Sequence, residues 1–459
     1  MTDNALRDRR RTRRSTSIDL LRDARWTDRL LWLTVVTIPF QQAFTVRAGF
    51  PLKLVEIFGV LAVLSFVVEY RREILRWRGA IWGAVHARIV LFIAAVVAVS
   101  TIVALFRSHP ELRQEAYPQG VAIDLLLYFG YAGLALALYV IVSTVSCWGL
   151  MIRALRWSVR LAAVYCAVQL LFWSLDVDWL AYVNGHIQVG RLYGISLPRN
   201  GPFLEGNYFG FFVVVSTFIV ARSRDFVGVA LGALMLGYSQ STTAFVALLA
   251  GIVFMMILRP TWRSMVILAA SALFATLVFF VVPTANRFVM AQLTKLGLVE
   301  NTLGDAYGYS LRTRTVNTET AISIAKDFPL LGVGQGRYGL YYWDYLDRSG
   351  LPSNFGERAT RPIANNVYAQ IASETGLIAL VLFLVLLVIV VMTARKDGQF
   401  AVGAAVSASV CLVAFPAWTN LMPWIFLALI IRMVGSARAL STDRTIRTSK
   451  PRAPASRTA

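Results

Sequence analysis

Residues 376–393 read GLIALVLFLVLLVIVVMT, eighteen positions without a charge, followed at once by Ala394-Arg395-Lys396. At about 1.5 Å of rise per residue, such a run extended upstream to Val367 crosses the roughly 30 Å hydrocarbon core of a bilayer as a helix. Working outward, apolar runs of this kind recur at about 30–46, 51–69, 88–106, 121–143, 157–175, 207–221, 226–240, 243–258, 264–282, 400–416 and 421–435. Composition agrees with that pattern. Of 459 residues 57% are hydrophobic and 15% charged, where a soluble domain carries roughly 25% charged, and the mean hydropathy is +0.61. The expected fold class is an all-α polytopic membrane protein with about twelve transmembrane helices. A water-soluble enzyme of this length is excluded for want of polar surface.

The net charge of +20, from 45 Lys and Arg against 25 Asp and Glu, invites a nucleic-acid reading. Division by side removes it. With the N-terminus inside, the segments 1–29, 69–88, 143–160, 222–225, 259–263, 394–399 and 432–459 hold 30 cations and 10 acids, and the remainder holds 15 of each. The whole excess then lies on one face, as the positive-inside tendency requires, so both termini are expected in the cytoplasm, with the bilayer as partner and no nucleic acid. The expected organisation is a disordered basic tail over 1–29, helices one to nine over 30–282, a large extracytoplasmic loop over 283–366, helices ten to twelve over 367–435, and a second disordered basic tail over 436–459. The first tail lacks the apolar core and cleavage site of a signal peptide.

Two outer segments stand out, 176–206 and the long loop 283–366. A connection of some 84 residues far exceeds ordinary loop lengths, and its Phe328, Tyr338, Tyr341, Tyr342 and Trp343 predict that it folds. A helix is expected over 313–327, started by Thr313 or Thr315 and stopped by Pro329. Arginines at the outer face (Arg191, Arg199, Arg312, Arg314, Arg337, Arg358, Arg361) carry the most chemistry, because the guanidinium fork suits phosphate. Each also has a plainer reading as the partner of a nearby acid. Gly334-Gln-Gly336-Arg-Tyr-Gly339 fits the dinucleotide string but lacks the preceding strand. It reads as a Gly-rich turn, or as a backbone nest for phosphate.

Glu56 and Asp124 lie at membrane depth, Glu205 and Glu374 at span edges, and an ionisable group there is a functional candidate by default. Three dispersed histidines and no carboxylate cluster predict no metal site, and no cofactor is expected. The spacing of Cys147, Cys166 and Cys411 suits buried small side chains. Trp26, Trp82, Trp173 and Trp424 near span ends read as interfacial anchors.

Three segments in order resemble the O-antigen ligase and O-antigen polymerase family of bacterial envelope proteins: Arg199-Asn-Gly-Pro-Phe-Leu-Glu-Gly-Asn207-Tyr-Phe-Gly; Arg314 with its helix and Pro329-Leu-Leu-Gly-Val-Gly-Gln-Gly336; and Asn365-Asn366-Val-Tyr-Ala-Gln-Ile-Ala-Ser-Glu374-Thr-Gly376. The resemblance covers about 190–380. It implies a GT-C-like glycosyltransferase of the bacterial cytoplasmic membrane that takes a glycan from a polyprenyl-pyrophosphate-linked oligosaccharide donor and passes it to a glycan acceptor, without metal. Polysaccharide export or chain-length proteins are implied as further partners. Expected catalytic residues are Arg314, Asn365, Glu205 and Glu374; expected substrate-binding residues are Arg191, Arg199, Asn207, Arg312, Gly334, Gly336 and Asn366.

The sequence departs from the family twice. Asn365 stands where ligases carry a histidine, and Ser239-Gln-Ser-Thr242 has no cation where the family often has an arginine. Asparagine cannot act as a general base, which favours a polymerase over a ligase and turns attention to Glu205 or Glu374. An inactive relative is a further alternative, and a lipid-linked oligosaccharide flippase is the rival from another class.

Overall fold

The computed structural model of the chain describes residues 24–47, 51–71, 79, 81–108, 110, 120–177, 183, 185–192, 195–258, 262, 265–266, 280–281, 283–295, 298–299, 305–349, 362–415 and 417–448. The expected span at 264–282, most of the first tail, residues 449–459 of the second, and Arg358 and Arg361 lie largely or wholly outside the described residues.

Helices dominate. In chain order they are α1 (Trp26–Val36), α2 (Leu54–Tyr70), α3 (Val85–Phe106), α4 (Val121–Thr144), α5 (Trp148–Ser174), α6 (Gly206–Arg222), α7 (Phe226–Ser239), α8 (Thr242–Leu258), α9 (Pro283–Lys295), α10 (Asp305–Asp327), α11 (Tyr338–Ser349), α12 (Val367–Asp397), α13 (Gln399–Cys411) and α14 (Leu421–Thr448). Two antiparallel hairpins interrupt them, β1 (Val46–Arg47) with β2 (Pro51–Leu52), and β3 (Val189–Leu192) with β4 (Ile195–Pro198), the latter in the register Gly190 opposite Leu197.

Among the described residues four helices are long and apolar enough to cross a membrane: Val85–Phe106, Val121–Thr144, Trp148–Ser174 and Val367–Lys396; Gly206–Arg222, Phe226–Ser239, Thr242–Leu258, Gln399–Ala414 and Leu421–Val434 are shorter apolar helices. The apolar run at 30–46 departs from the expected span. Its helix, α1, has 11 residues, about 16 Å at the usual rise, because Pro39 supplies no amide and forces the chain out of the helix. At the other terminus the last helix does not stop near 435 but runs to Thr448; residues 436–448 contain no proline or glycine to end it.

The bundle has two distinct ends. At one, Trp26 N and Thr27 Oγ1 donate to Glu69 (2.9 and 2.6 Å), Cys147 N donates to Asp28 Oδ1 (3.1 Å), Arg432 Nε donates to Ser146 O (2.6 Å), and Arg156 and Arg160 pair with Asp225. At the other, Phe44 N donates to Val183 O (2.7 Å), Asn420 Nδ2 to Gln41 Oε1 (2.8 Å) and the Tyr341 hydroxyl to Ser108 O (3.2 Å). The first group falls in segments that charge counting assigned together to one face; in the second, Ser108, Val183 and Tyr341 fall in the other set, whereas Gln41 and Phe44 fall in the expected span 30–46.

Helix α6 is the centre of the bundle. Its residues from Tyr208 to Ser216 are all buried, which marks a helix enclosed on every side. Phe203, Phe209, Phe211 and Phe212 join Phe415, Phe426, Trp418 and Trp424 in the aromatic core. Trp424 is therefore no interfacial anchor: it is 1% exposed, and its indole donates to Trp418 O at 2.7 Å. Where α8 meets α13, a Cβ at Gly251 would lie 2.4 Å from Ser407 Oγ, the small-residue contact that lets membrane helices approach closely. The membrane-facing surface is apolar, with Leu64, Val68, Phe92, Ile102 and Leu384 among its exposed side chains. Glu56 is no midspan charge: it sits in the first turn of α2, accepts from Lys53 N (3.0 Å) and pairs with Lys53 Nζ (3.3 Å), a capping arrangement.

Candidate functional site

The site gathers at the N-terminus of the central helix. Asn200, fully buried, holds the approach: its Oδ1 accepts from Gln188 N (3.0 Å) and its amide donates to His186 O (2.7 Å) and Phe203 O. Gln188 Oε1 then accepts from both Arg199 Nε (3.1 Å) and Gly206 N (2.8 Å). The β3–β4 hairpin, Arg199 and the first residue of α6 thus form one unit. Glycine at 206 is required by space, since a Cβ there would lie 2.7 Å from Ser239 O. Asn207 accepts from Ser241 Oγ at 3.0 Å, so the cation-free Ser239-Gln-Ser segment does reach the site. Gln240 caps α7 in the left-handed conformation, beside Gly190. Gln188, Gln240 and Ser241 were not among the expected residues; uncharged side chains in unremarkable sequence carry no signal.

Helix α10 supplies the second wall. It starts at Asp305, eight residues before the expected start, and ends as expected ahead of Pro329. Val316, Asn317, Thr320, Ala321 and Ile324 form its buried face. Asn317 anchors it, donating through Nδ2 to Ile363 O (2.9 Å) while its own carbonyl accepts from the Tyr338 hydroxyl (2.8 Å). Arg314, one turn earlier, is half-buried and within electrostatic reach of Glu205, the N-cap of α6. Burial pushes the Glu205 carboxyl above its ordinary value, against the pull of Arg314, Arg199 and His186. Burial likewise lowers the Arg314 guanidinium, opposed by Glu205. Neither side chain is held by a hydrogen bond or ion pair among the described residues. The helix end adds its own positive potential to the two arginines. Arg191 lies in β3 and Arg312 in α10; the description does not extend to their side chains.

The Gly-rich turn is built differently. Helix α12 is broken at Gly376 (φ 88°, ψ 172°), and the turn after α10 docks into the break. Val333 N donates to Ser373 O (2.9 Å), Gly334 N to Glu374 O (2.8 Å) and Leu377 N to Pro329 O (2.7 Å). The two backbones touch: a Cβ at Gly332 would lie 2.3 Å from Glu374 C, and one at Gly376 would lie 2.1 Å from Leu330 O. Helix α3 clasps the turn from the far side. Ser100 Oγ donates to Leu331 O (2.6 Å), Thr101 Oγ1 to Gln335 Oε1 (2.5 Å) and Arg107 to Gly332 O, and the Arg107 guanidinium lies 4.5 Å over the Phe328 ring. Arg337 is 3% exposed and donates to Ala104 O, so this arginine serves the end of α3. The amide of Gly334 is committed to Glu374 and is not free for phosphate; Gly336 lies in the same buried turn.

The third segment divides its roles. Asn366 caps α12, its Oδ1 accepting from Tyr368 N (3.0 Å) and Ala369 N (3.2 Å), as asparagine does well. Asn365 is half-buried in the left-handed conformation (φ 55°). Glu374 is 1% exposed, and its Oε2 accepts from Gln370 Nε2 and Trp418 Nε1, both at 3.2 Å. That places it in a buried polar network beside the turn, while Arg314 lies within electrostatic reach of Glu205 at the end of α6.

Fold and site define an integral membrane protein with a cluster of polar and cationic side chains at the N-terminus of a buried helix. Residues 227–384 match the O-antigen ligase family model, a stretch from α7 through α10 and the Gly-rich turn into α12. The match covers about a third of the chain and is to the family that the three motifs resemble; the second and third motifs lie inside it and the first lies outside. No curated protein matches the chain.

Proposed function

We propose that the protein is a polymerase-type glycosyltransferase, extending a cell-surface polysaccharide from polyprenyl-pyrophosphate-linked repeats at the outer face of the bacterial cytoplasmic membrane, with both termini inside. The observation that carries this reading is that Arg314 lies within electrostatic reach of Glu205 at the N-terminus of α6, two opposite charges half-buried and without a hydrogen bond or ion pair to another group among the described residues. An acceptor hydroxyl gives its proton to Glu205. Its oxygen attacks the anomeric carbon of the donor, the bond from that carbon to the pyrophosphate oxygen breaks, and the electron pair leaves with the pyrophosphate. Arg314, helped by Arg199 and the helix end, stabilises the charge that builds there. Arg191 and Arg312 join Arg199 as donor-binding residues, and Asn207 and Asn365 orient the sugars. Gly334, Gly336 and Asn366 act by shaping the wall. Glu205 is preferred to Glu374 as base because the latter's carboxylate is already engaged by Gln370 and Trp418.

The test is the fate of lipid-linked repeats in a strain lacking the gene and complemented with Arg314→Ala. Single repeats accumulating on the carrier are expected. Full-length polymer left unattached makes the protein a ligase instead, carrier trapped on the cytoplasmic face makes it a flippase, and normal polymer removes Arg314 from the site.

A further inference from the structure

The end of α6 remote from Glu205 carries a charged surface that the transfer reading leaves unused. Helix α6 has 17 residues, about 25 Å at the usual rise, and its last one, Arg222, leads through Ser223 and Arg224 to Asp225 and α7. The first half of α5 is bonded to this turn: Arg156 donates to Ser223 O (2.8 Å) and Arg160 to Asp225 Oδ2 (3.2 Å). Asp225 also caps α7, accepting from Gly228 N (3.1 Å). It is the one acid in residues 148–164 and 222–227, which hold five arginines, at 153, 156, 160, 222 and 224. A single carboxylate shared by two guanidiniums leaves this surface strongly positive. Arg222 and Arg224 are exposed, and Arg224 is held at φ 56°, a left-handed conformation that arginine seldom adopts.

Along the helices the surface turns from charged to apolar. Arg153, Trp157 and Arg160 recur at helical spacing on one stripe of α5. Trp157 is 44% exposed there, and the Arg160 guanidinium lies 5.9 Å from its ring centre. The stripe continues into exposed Val164 and Leu171, and α7 presents exposed Phe226, Val227 and Leu234. We propose that this surface is a site for an anionic phospholipid. Its phosphate sits on the arginines of α5 and of the α6–α7 turn, its glycerol lies beside Trp157 and Phe226, and its acyl chains run along α5 and α7. Charge that only orients a membrane protein needs to stand near the span ends; here it is fixed by a shared carboxylate and flanked by exposed aromatic rings. The guanidinium fork matches phosphate oxygens, and basic surfaces between membrane helices suit anionic head groups. A nucleic acid or an acidic protein would engage the arginines and leave the apolar stripes uncovered, whereas a lipid covers both. The assignment is independent of the transfer reading.

The experiment titrates the full-length protein in neutral detergent with phosphatidylglycerol or with phosphatidylcholine and counts bound lipids by native mass spectrometry. Phosphatidylglycerol is expected to give its first adduct at about tenfold lower concentration, some 1.4 kcal/mol of binding. Arg153→Gln combined with Arg224→Gln spares the two arginines bonded to Asp225, and is expected to abolish this preference at an unchanged melting temperature. Arg395→Gln combined with Lys396→Gln removes two exposed cations at the end of α12 and is expected to leave the preference intact. Equal binding of the two lipids overturns the proposal. So does a preference that survives in the first variant, or one that falls as far in the second, which would reduce the effect to diffuse charge. Where the first variant fails to fold, hydrogen exchange of the wild-type protein in nanodiscs decides. Adding phosphatidylglycerol to a phosphatidylcholine bilayer is expected to slow exchange over residues 222–227, and unchanged exchange there overturns the proposal.

Discussion

Two polar regions, the turn docked into α12 and the N-terminus of α6, are built on opposite terms. In the docked turn, backbone amides and carbonyls of 329–334 are matched to the broken helix, the Glu374 carboxylate has two donors, and Arg337 and Arg107 spend their charge on carbonyl oxygens. At the end of α6, Arg314 and Glu205 sense each other's charge without a direct bond to any described group. A buried polar network that is complete contributes rigidity and a single geometry. A half-buried pair left incomplete is poorly explained by stability and well explained by a ligand that completes it. The contrast separates a scaffold from a working surface among residues of the same chemical types.

The largest effect is expected in the scaffold. Gly376→Ala puts a methyl group onto Leu330 O and forces a left-handed backbone, a strain of about 1–3 kcal/mol before the collision is counted. Gly332→Ala meets the Glu374 backbone in the same way. Both variants are expected to be recovered poorly from the membrane and to lose their cooperative thermal transition in detergent. Normal yield and melting temperature would mean that the interlock is not what holds α10 in place.

The working surface should answer in the reverse manner. Arg314→Ala is expected to reduce glycan transfer by about 10²–10³-fold, the usual range for removing one charge-stabilising donor, with a melting temperature close to that of the parent. Glu205→Gln is expected to reduce it by roughly 10²-fold or more. The pH profile sharpens that second case. Burial raises the Glu205 carboxyl above its ordinary value, a base works only when ionised, and activity should therefore climb as pH rises through that raised value. The Gln variant should lose this acidic limb. A limb that persists assigns the titration to another group.

Glu374→Gln should separate the regions again. It is expected to lower stability by about 1–3 kcal/mol through the disturbed Gln370–Trp418 network while transfer per folded molecule changes little. Loss of transfer with unchanged melting temperature would move the base to Glu374 and dissolve the distinction between the two regions.

How far this was legible in the sequence follows the same division. Arg314 could be singled out because a cation on a helix in a long segment between apolar runs is a local signal, and the grouping of Asp28, Glu69, Ser146, Asp225 and Arg432 follows segments that charge counting sets together. The break at Gly376 was hidden, because Thr375 and Leu377 on either side continue an unbroken helical pattern and the reason for the break is a turn forty residues upstream. Arg337 was read for its charge, whereas its burial beneath the end of α3 depends on a contact with Ala104. Arg107 is one cation at the end of an apolar run with no local signal, yet it helps to clasp the turn. The short α1 was legible in principle from Pro39, and the apolar run outweighed it.

The smallest effect is the most discriminating. Asn365 occupies a left-handed backbone position (φ 55°), which asparagine tolerates better than most residues. Glycine relieves that conformation, so Asn365→Gly should alter stability by no more than a few tenths of a kcal/mol beyond its greater unfolded-state entropy. Alanine there should cost about 1 kcal/mol. If the side chain orients the acceptor, both variants should lose about tenfold in transfer, the equivalent of one hydrogen bond near 1.4 kcal/mol, although only the alanine variant melts earlier. Transfer that follows the melting temperature, intact in the glycine variant and reduced in the alanine one, would assign Asn365 to the backbone turn and leave Arg314 and Glu205 to carry the chemistry without it.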